Sequence, residues 1–200
     1  MLPYYKIITV PNLEQISHEL DQALPDLIVK RFNLKDIYSF NLVDVVKLLE
    51  LAPALGNWLD TIGLKNNISF AGFPWAAPSS MGPIHTDGWI VDAINLPVYN
   101  CEKGYSVWYR GHQTVEEKIV HAGDVIVNNH QAEYVPYALP RQRLHLTQVM
   151  TADGPELARV SNRYPVWYNT RIPHRGINFS DQPRITFTVR FNCPLDVDAL

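Results

Sequence analysis

Cysteine is scarce in this chain, long apolar runs are missing, and neither charge is in large excess. Only Cys101 and Cys193 occur among the 200 residues, far apart and in no CxxC pattern. A disulfide-rich scaffold is therefore excluded, and a reduced, cytoplasmic setting is expected. Neither cysteine has a neighbouring base in the sequence, so we expect both side chains to be buried and unreactive.

No apolar segment approaches the roughly 18 residues that a membrane-spanning helix needs. The N-terminus also lacks the basic and then apolar run of a signal peptide. The 17 basic and 20 acidic residues leave a formal net charge of -3, without a basic run. This balance argues against nucleic acid and against a membrane surface as partners.

Residues 1–65 show helical spacing of apolar residues in three stretches. The stretches lie at residues 13–24, 45–49 and 55–62. Asn12 is a favourable N-cap for the first stretch, and Pro25 and Pro53 are expected to separate the helices. We therefore predict a helical N-terminal region, residues 1–65, that packs on a core formed by residues 66–200.

The remainder of the chain consists of short β-like runs that Gly, Pro, Asn and Asp interrupt. The runs are rich in Val, Ile, Tyr, Phe, Trp and Thr and lie at residues 67–73, 89–99, 105–110, 117–129, 143–150, 166–172 and 184–191. No helical pattern separates them, which argues against alternating βαβ units. The sequence predicts an antiparallel sandwich or jelly-roll core with N-terminal helices, as a single domain over residues 1–200.

A histidine and an aspartate stand two residues apart in the segment PIHTDGWIV, residues 83–91. Residues two apart in a strand point to the same face, so His85 and Asp87 would converge on one point, with Trp89 on the same side. An imidazole and a carboxylate can bind a divalent metal together. The pair alone equally fits a surface histidine beside a turn-capping aspartate, and this alternative stays open.

The segment NTRIPHRGINFSDQPRITFTVRF, residues 169–191, carries a second group of polar residues. His174 lies at the mouth of an expected loop, and Arg184 follows ten residues later in a strand. Arg184 and Thr186 share one face of that strand, and apolar residues share the other. An inward guanidinium in an apolar core is costly unless it meets an anion, for which a carboxylate is the natural partner. The alternation equally permits an Arg184 that points to solvent.

These two segments together resemble the Fe(II)- and 2-oxoglutarate-dependent oxygenases, whose pattern is HxD, a distal His, and then R-x-S/T. The matching residues are His85, Asp87, His174, Arg184 and Thr186. The resemblance covers residues 83–191 and leaves residues 1–65 outside it. It implies a double-stranded β-helix core, which is the cupin-like form of the jelly roll.

The resemblance also implies Fe(II), 2-oxoglutarate and O2 as cofactors. The metal ligands would be His85, Asp87 and His174. Arg184 would pair with the far carboxylate of 2-oxoglutarate, and Thr186 would add a hydroxyl bond. The implied reaction hydroxylates a substrate C–H bond and releases succinate and CO2. Metal and cosubstrate supply that chemistry, and the protein supplies geometry and excludes water.

Asn95 and Tyr99 are further candidates for binding the cosubstrate. They lie four residues apart on one expected strand, so they should share a face. Asn95 also fits a purely structural role, in which its side chain satisfies a backbone group at a strand irregularity before Pro97. The two interpretations of Asn95 stay open.

Four residues are weaker candidates for lining a substrate pocket. They are Trp89, Trp108, Arg141 and Arg143. An inward tryptophan in a β core more often packs than binds, and Trp108 fits both roles. Arg141 and Arg143 alternate on one strand and would form either a rim for an acidic substrate group or the exposed face of a hairpin.

Two other classes of protein share such a fold. One is a non-redox, cupin-like protein that binds a metal or another ligand, and the other is a jelly roll with a structural or binding role. Cupins usually supply two or three closely spaced histidines and a glutamate, a pattern that this sequence lacks. As substrate of an oxygenase, a small molecule or a protein side chain is expected, because the chain is nearly neutral and tryptophans are expected near the mouth of the barrel. These tryptophans are Trp75, Trp89, Trp108 and Trp167.

Overall fold

The structure is a computed structural model of the chain. It describes residues 4–28, 38–82, 84–86, 92–110, 114–121, 124–127, 131–134, 143–150, 155–191 and 193–200. For the described residues between 114 and 150 it gives the backbone alone. Three of the predicted site residues, Asp87, Trp89 and Arg141, lie outside the described residues.

In the described residues before Lys65 there are five helices and strands, and the helices follow the predicted pattern. In chain order the elements are β1 (Tyr5–Ile7), α1 (Leu13–Leu27), β2 (Tyr38–Val43), α2 (Val45–Leu51) and α3 (Pro53–Thr61). The Asp44 carboxylate begins α2 by accepting hydrogen bonds from the amides of Val46 and Lys47, at 2.8 and 3.3 Å. Pro53 occupies the first turn of α3, where its missing N–H costs nothing, and it separates α2 from α3 as expected.

Three expectations for this region are corrected. Pro25 lies inside α1, which continues to the buried Leu27, and that burial offsets the lost hydrogen bond. Asn12 precedes α1 with a left-handed backbone (φ 56) and without a side-chain cap, so its carbonyl alone begins the helix by accepting from Ile16 at 3.0 Å. The region is also not purely helical, because β1 and β2 belong to the larger, eight-stranded sheet of the core.

Thirteen further strands follow in the described part of the chain. They are β3 (Ile68–Ala76), β4 (Ser80–Met81), β5 (His85–Thr86), β6 (Asp92–Tyr99), β7 (Gly104–Tyr109), β8 (Thr114–His121), β9 (Asp124–Val127), β10 (Gln131–Tyr134), β11 (Arg143–Met150), β12 (Glu156–Ser161), β13 (Val166–Asn169), β14 (His174–Asn178) and β15 (Arg184–Phe191). Together with β1 and β2 they form two antiparallel sheets. The order in the first is β1-β13-β6-β15-β3-β2-β9-β10, and in the second β12-β7-β14-β5-β11-β8, with β4 paired to β14.

The chain passes back and forth between the two sheets from β3 to β15. Strands β3, β6, β13 and β15 belong to the eight-stranded sheet, and β5, β7, β12 and β14 to the seven-stranded sheet. This alternation is the predicted jelly-roll arrangement, and the mainly β fold with N-terminal helices is confirmed. Between β7 and β12 the chain adds β8 to β11, which lengthen both sheets at their edges.

Both faces of β15 are covered, which explains its sequence RITFTVRF. Ile185, Phe187, Val189 and Phe191 belong to one hydrophobic cluster with apolar residues of α1, α2 and α3. The other face carries Arg184, Thr186 and Thr188, which are also buried, and it looks into the space between the sheets. The predicted alternation of β15 is therefore confirmed, and the alternative that Arg184 points to solvent is wrong.

Each predicted β run contains a strand in its described residues, but β4, β10, β12 and β14 lie outside the predicted runs. His174 is the first residue of β14 rather than part of a loop mouth. The sequence HRGIN has little β propensity of its own, and its strand form comes from pairing with β7 over five residues, His174 opposite Trp108 to Asn178 opposite Gly104.

The two cysteines, which were both expected to be buried, differ in their burial. Cys101 is buried, and its thiol donates to the Ile185 carbonyl at 3.1 Å. Burial raises the pKa of this thiol, which stays protonated as a donor. Cys193 is half-buried.

None of the helices in the described residues is long and apolar enough to cross a bilayer.

The turn between β14 and β15 depends on one buried asparagine. The Asn178 amide donates to the carbonyls of Ala77 and Gln182 at 2.9 and 2.8 Å, and its Oδ1 accepts from the Ser180 amide at 3.0 Å. Asn178 thereby closes the five-residue turn that sets the interval between His174 and Arg184. The interval consists of strand β14 followed by this turn.

Replacing Asn178 by alanine should lower the free energy of unfolding by about 3 kcal/mol, because buried backbone groups would lose their partners. Urea denaturation of the variant and the parent chain measures the change. The exposed Asn66→Ala is the matched control, with an expected effect within about 0.5 kcal/mol. Equal unfolding midpoints for the two variants would contradict the assigned role of Asn178.

Candidate functional site

Two histidines meet on neighbouring strands of the seven-stranded sheet. His85 on β5 lies directly opposite His174 on β14. Their ring centroids are 4.6 Å apart, with an angle of 47° between the ring planes. Two imidazoles on paired strand positions can serve as two ligands of one divalent metal ion. The structure thus brings together two of the three residues that the sequence suggested as metal ligands.

A backbone hydrogen bond and two aromatic contacts fix the orientation of the His174 ring. Its Nδ1 lies 2.8 Å from the carbonyl oxygen of Ile172, and because a carbonyl only accepts, Nδ1 carries the proton. In the neutral ring, Nε2 is then the nitrogen with the lone pair. The rings of Trp108 and Tyr168 pack at centroid distances of 6.3 Å each from that of His174. A backbone partner of this kind fixes the orientation and tautomer of histidines that bind metals.

The third suggested ligand, Asp87, lies outside the described residues. Within the residues that the structure describes, no group of three His, Cys, Asp or Glu side chains is arranged to hold a metal ion. The pair His85 and His174 is therefore the part of the candidate site that the structure describes, and the role of Asp87 stays a prediction.

Arg184 reaches across from the other sheet and packs against two glycines. A Cβ atom built on Gly104 would lie 2.4 Å from Arg184 Cδ, and one built on Gly176 would lie 2.9 Å from Arg184 Nη2. Gly176 is two residues after His174 on β14, so its missing side chain and the His174 ring belong to the same face of the strand. The Arg184 guanidinium therefore occupies the inter-sheet space roughly 7 Å along β14 from His174, by the rise of a strand.

The Arg184 side chain is 2% exposed, and its hydrogen-bond partner is a neutral amide. Arg184 Nη1 donates to Asn162 Oδ1 at 2.6 Å, and Nε is buried without a partner. In the described part of the chain no carboxylate pairs with Arg184. A buried guanidinium usually has a carboxylate partner, so this position is electrostatically incomplete.

Asn162 belongs to a buried polar network that sequence inspection missed. Its Nδ2 donates to Ser106 Oγ at 2.9 Å and to Tyr168 Oη at 3.1 Å, and the Ser106 and Tyr168 hydroxyls bond to each other. Burial raises the pKa of Tyr168, against smaller lowering effects of its hydrogen bonds and of the Arg184 charge. The phenol therefore stays neutral and serves the network as a hydrogen-bonding hydroxyl.

The remaining predicted cosubstrate residues separate into two groups. Thr186 is buried on the inner face of β15, two residues from Arg184. Asn95 lies opposite Thr188 on that face, with a buried Oδ1 that has no partner. A register shift between Ile185 and Thr186 places Tyr99 opposite Ile185 instead, and Tyr99 is 45% exposed. Asn95 and Tyr99 thus do not share a face, because the irregularity interrupts the alternation on which that expectation rested.

The suggested pocket residues are also separated. Trp108 is fully buried, stacks on Tyr5 at 5.3 Å and donates Nε1 to the Asn169 carbonyl at 3.3 Å, which are packing contacts behind His174. Arg143 begins β11, and His85 pairs near the other end of that strand, opposite Val149. Six strand residues correspond to about 20 Å, so Arg143 is remote from the histidine pair.

Three of the four tryptophans that were expected at a mouth of the barrel are buried. Trp75, Trp108 and Trp167 are each at most 2% exposed. Their size and apolar surface place them in the hydrophobic clusters, where Trp167 Nε1 donates to Asp92 Oδ1 at 2.7 Å. The expectation that these three tryptophans line an opening is wrong, and Trp89 lies outside the described residues.

The residues missed by sequence inspection include two on β7, Tyr168 on β13 and Asn162 in the turn after β12. Gly104 and Ser106 share a face with Trp108, which sequence inspection considered as an inward residue, so the alternation of β7 could have suggested them. A glycine on the inner face of a strand also marks a position where another group approaches closely. Asn162 gives no such signal, because it lies in the turn after β12 and meets Arg184 only through the fold.

No protein-family model matches the chain, and no curated protein matches it. Among solved structures it is similar to SnoK, a non-heme alpha-ketoglutarate-dependent carbocyclase from nogalamycin biosynthesis, with a TM-score of 0.52 and 12% identity, over 94% of this chain and 79% of that one. The similarity to a Pseudomonas putida prolyl-4-hydroxylase has a TM-score of 0.45 and 10% sequence identity, over 96% of this chain and 94% of that one. The similarity to the Escherichia coli ribosomal oxygenase YcfD, in complex with cobalt and 2-oxoglutarate, has a TM-score of 0.36 and 12% sequence identity, over 78% of this chain. The match spans 32% of the length of that protein. The likeness to SnoK shows the jelly-roll fold.

Proposed function

We propose that the chain is an Fe(II)- and 2-oxoglutarate-dependent oxygenase. It would use O2 to hydroxylate a C–H bond of a small molecule or of a protein side chain, with release of succinate and CO2. The observation that carries the proposal is the buried Arg184 guanidinium, which lacks a carboxylate partner among the described residues. A buried charge without a counter-ion costs several kcal/mol, so this position favours an anionic partner, which a bound carboxylate ligand would supply.

The donor set fits both proposed cofactors. Imidazole nitrogens suit Fe(II), and two histidines with one carboxylate form the facial arrangement of non-haem iron oxygenases. His85 and His174 supply the imidazoles, and Asp87 is the proposed carboxylate. 2-Oxoglutarate carries an oxo-acid group that can chelate a metal and a second carboxylate that can meet a guanidinium. The Arg184 guanidinium packs against Gly176, two residues after His174 on β14. This separation supports a ligand that binds a metal with one end and a guanidinium with the other.

The chain's own residues have separable tasks in this proposal. Bound iron and 2-oxoglutarate together supply the oxidation of the C–H bond. His174 presents Nε2 because Ile172 holds its Nδ1 proton. Arg184 pairs with the far carboxylate, and the buried Thr186 adds a hydroxyl from the same face of β15. Trp108 fills the space behind His174 and excludes water from that side.

The test is an anaerobic titration of the protein and Fe(II) with 2-oxoglutarate, followed by exposure to air. Chelation should give a weak visible charge-transfer band, and air should convert 2-oxoglutarate to succinate. Neither band nor succinate would contradict the proposal. Metal binding without any effect of 2-oxoglutarate would favour a cupin-like binding protein instead.

A further inference from the structure

We propose that Asn162 is a positioning residue that orients Arg184 for an incoming carboxylate while leaving the guanidinium charge uncompensated, an inference that rests on the proposed function. Asn162 Oδ1 accepts from Arg184 Nη1 at 2.6 Å, the one hydrogen bond that the described residues offer to this guanidinium. Asn162 is itself buried. Its side-chain hydrogen bonds go to Arg184, Ser106 and Tyr168, so its effect on the ligand is exerted through Arg184.

The orientation of the Asn162 amide follows from its partners. A guanidinium has donors only, so the amide atom that faces Arg184 is the oxygen. The amide nitrogen then faces the Ser106 and Tyr168 hydroxyls, which can accept from it. The Asn162 backbone N–H donates to the Gly104 carbonyl at 2.8 Å, which ties the residue to the strand against which Arg184 packs. Side chain and backbone together hold Asn162 through four hydrogen bonds.

A neutral amide at this position has a consequence that a carboxylate would reverse. An aspartate would form a charge-assisted pair with Arg184 and complete its electrostatics from within the chain. The asparagine fixes the direction of Nη1 but contributes no negative charge, so the attraction for an external carboxylate is retained. Gly104 and Gly176 limit the remaining freedom, because a Cβ on either would overlap with the arginine side chain.

The test compares the affinity for 2-oxoglutarate of the full chain with that of Asn162→Asp and Asn162→Ala, by calorimetric titration in the presence of Mn(II). Asn162→Asp should weaken binding by roughly 100-fold, because the new carboxylate competes with the ligand for Arg184. Asn162→Ala should weaken it by only about 3- to 10-fold, because one orienting hydrogen bond is lost while the charge stays uncompensated. The affinity for Mn(II) should be the same in all three proteins.

A purely structural role would give a different pattern. Both variants would then lower the melting temperature without changing the affinity for 2-oxoglutarate, or the alanine variant would bind more weakly than the aspartate variant, and either result overturns the inference. Ser106→Ala keeps Asn162 but removes one of its supports, and a loss of about 3-fold in affinity is expected. A parent chain that does not bind 2-oxoglutarate would overturn the proposed function itself. A parent chain that binds, with variants that bind equally well, would overturn only the role of Asn162.

Discussion

Replacing Arg184 by alanine should weaken the binding of 2-oxoglutarate by at least about 100-fold, because a desolvated cation and its hydrogen bonds are removed together. Arg184 is 2% exposed, so solvent cannot substitute for the lost partner. Calorimetric titration with 2-oxoglutarate in the presence of Mn(II) measures the loss. The affinity for Mn(II) alone should be retained, since Arg184 lies on β15 and the histidine pair on β5 and β14.

The matched control is Arg159→Ala. Arg159 is an exposed arginine whose Nη2 lies 2.7 Å from the Glu156 carboxylate, and such surface pairs contribute at most about 1 kcal/mol. This variant should bind 2-oxoglutarate as the parent chain does. An Arg184→Ala variant with unchanged affinity would show that the guanidinium is not the anchor, and the proposal would lose the observation that carries it.

The fold could be predicted to the extent that local patterns determine it. Alternation along β15 separates Phe187 and Val189 from Arg184 and Thr186, and both faces are used as the pattern indicates. Helical spacing likewise gave α1, α2 and α3. Tertiary pairing overrode local preference in β14, whose residues become a strand because β7 supplies hydrogen bonds along its whole length.

The two strands at the N-terminal end illustrate a second limit. β1 pairs with β13, far along the chain, and β2 pairs with β3, beyond α2 and α3, so the strand form of both depends on distant partners. A three-residue strand such as Tyr5–Ile7 has no periodicity to detect. The sequence therefore predicted the helices of this region and missed the strands that attach it to the sheet.

The candidate site was predictable where residue types carry the chemistry and unpredictable where geometry does. His85, His174 and Arg184 were expected because their types and order resemble a known family pattern, and the structure places His85 opposite His174. Tyr99 was placed by assuming an uninterrupted strand, and one register shift invalidates that placement. Asn162 could not be found in this way, because an asparagine in a turn is usually a turn residue.

The Arg184 and His174 positions divide the proposed site into two ends that can be tested separately. Arg184 belongs to the eight-stranded sheet and the histidines to the seven-stranded sheet, and the turn closed by Asn178 connects β14 to β15. A ligand held at both ends would couple the two sheets. Loss of Arg184 should therefore affect the binding of 2-oxoglutarate directly, and loss of His174 should affect the binding of the metal directly. In each case the binding of the other ligand can still be measured.

Replacing His174 by alanine should reduce the affinity for Mn(II) or Co(II) by at least about 100-fold, because losing even an outer partner of a metal ligand costs 10- to 100-fold. His174 is 6% exposed and contacts the His85 ring at 4.6 Å, so the change removes one of two adjoining imidazoles. Direct titration with Co(II), followed by its visible absorption, measures metal binding without reference to any substrate. His18→Ala, which alters an exposed histidine of α1, is the matched control and should bind Co(II) as the parent chain does. A His174→Ala variant that keeps the parent's melting temperature and its Co(II) affinity would show that the histidine pair does not hold the metal.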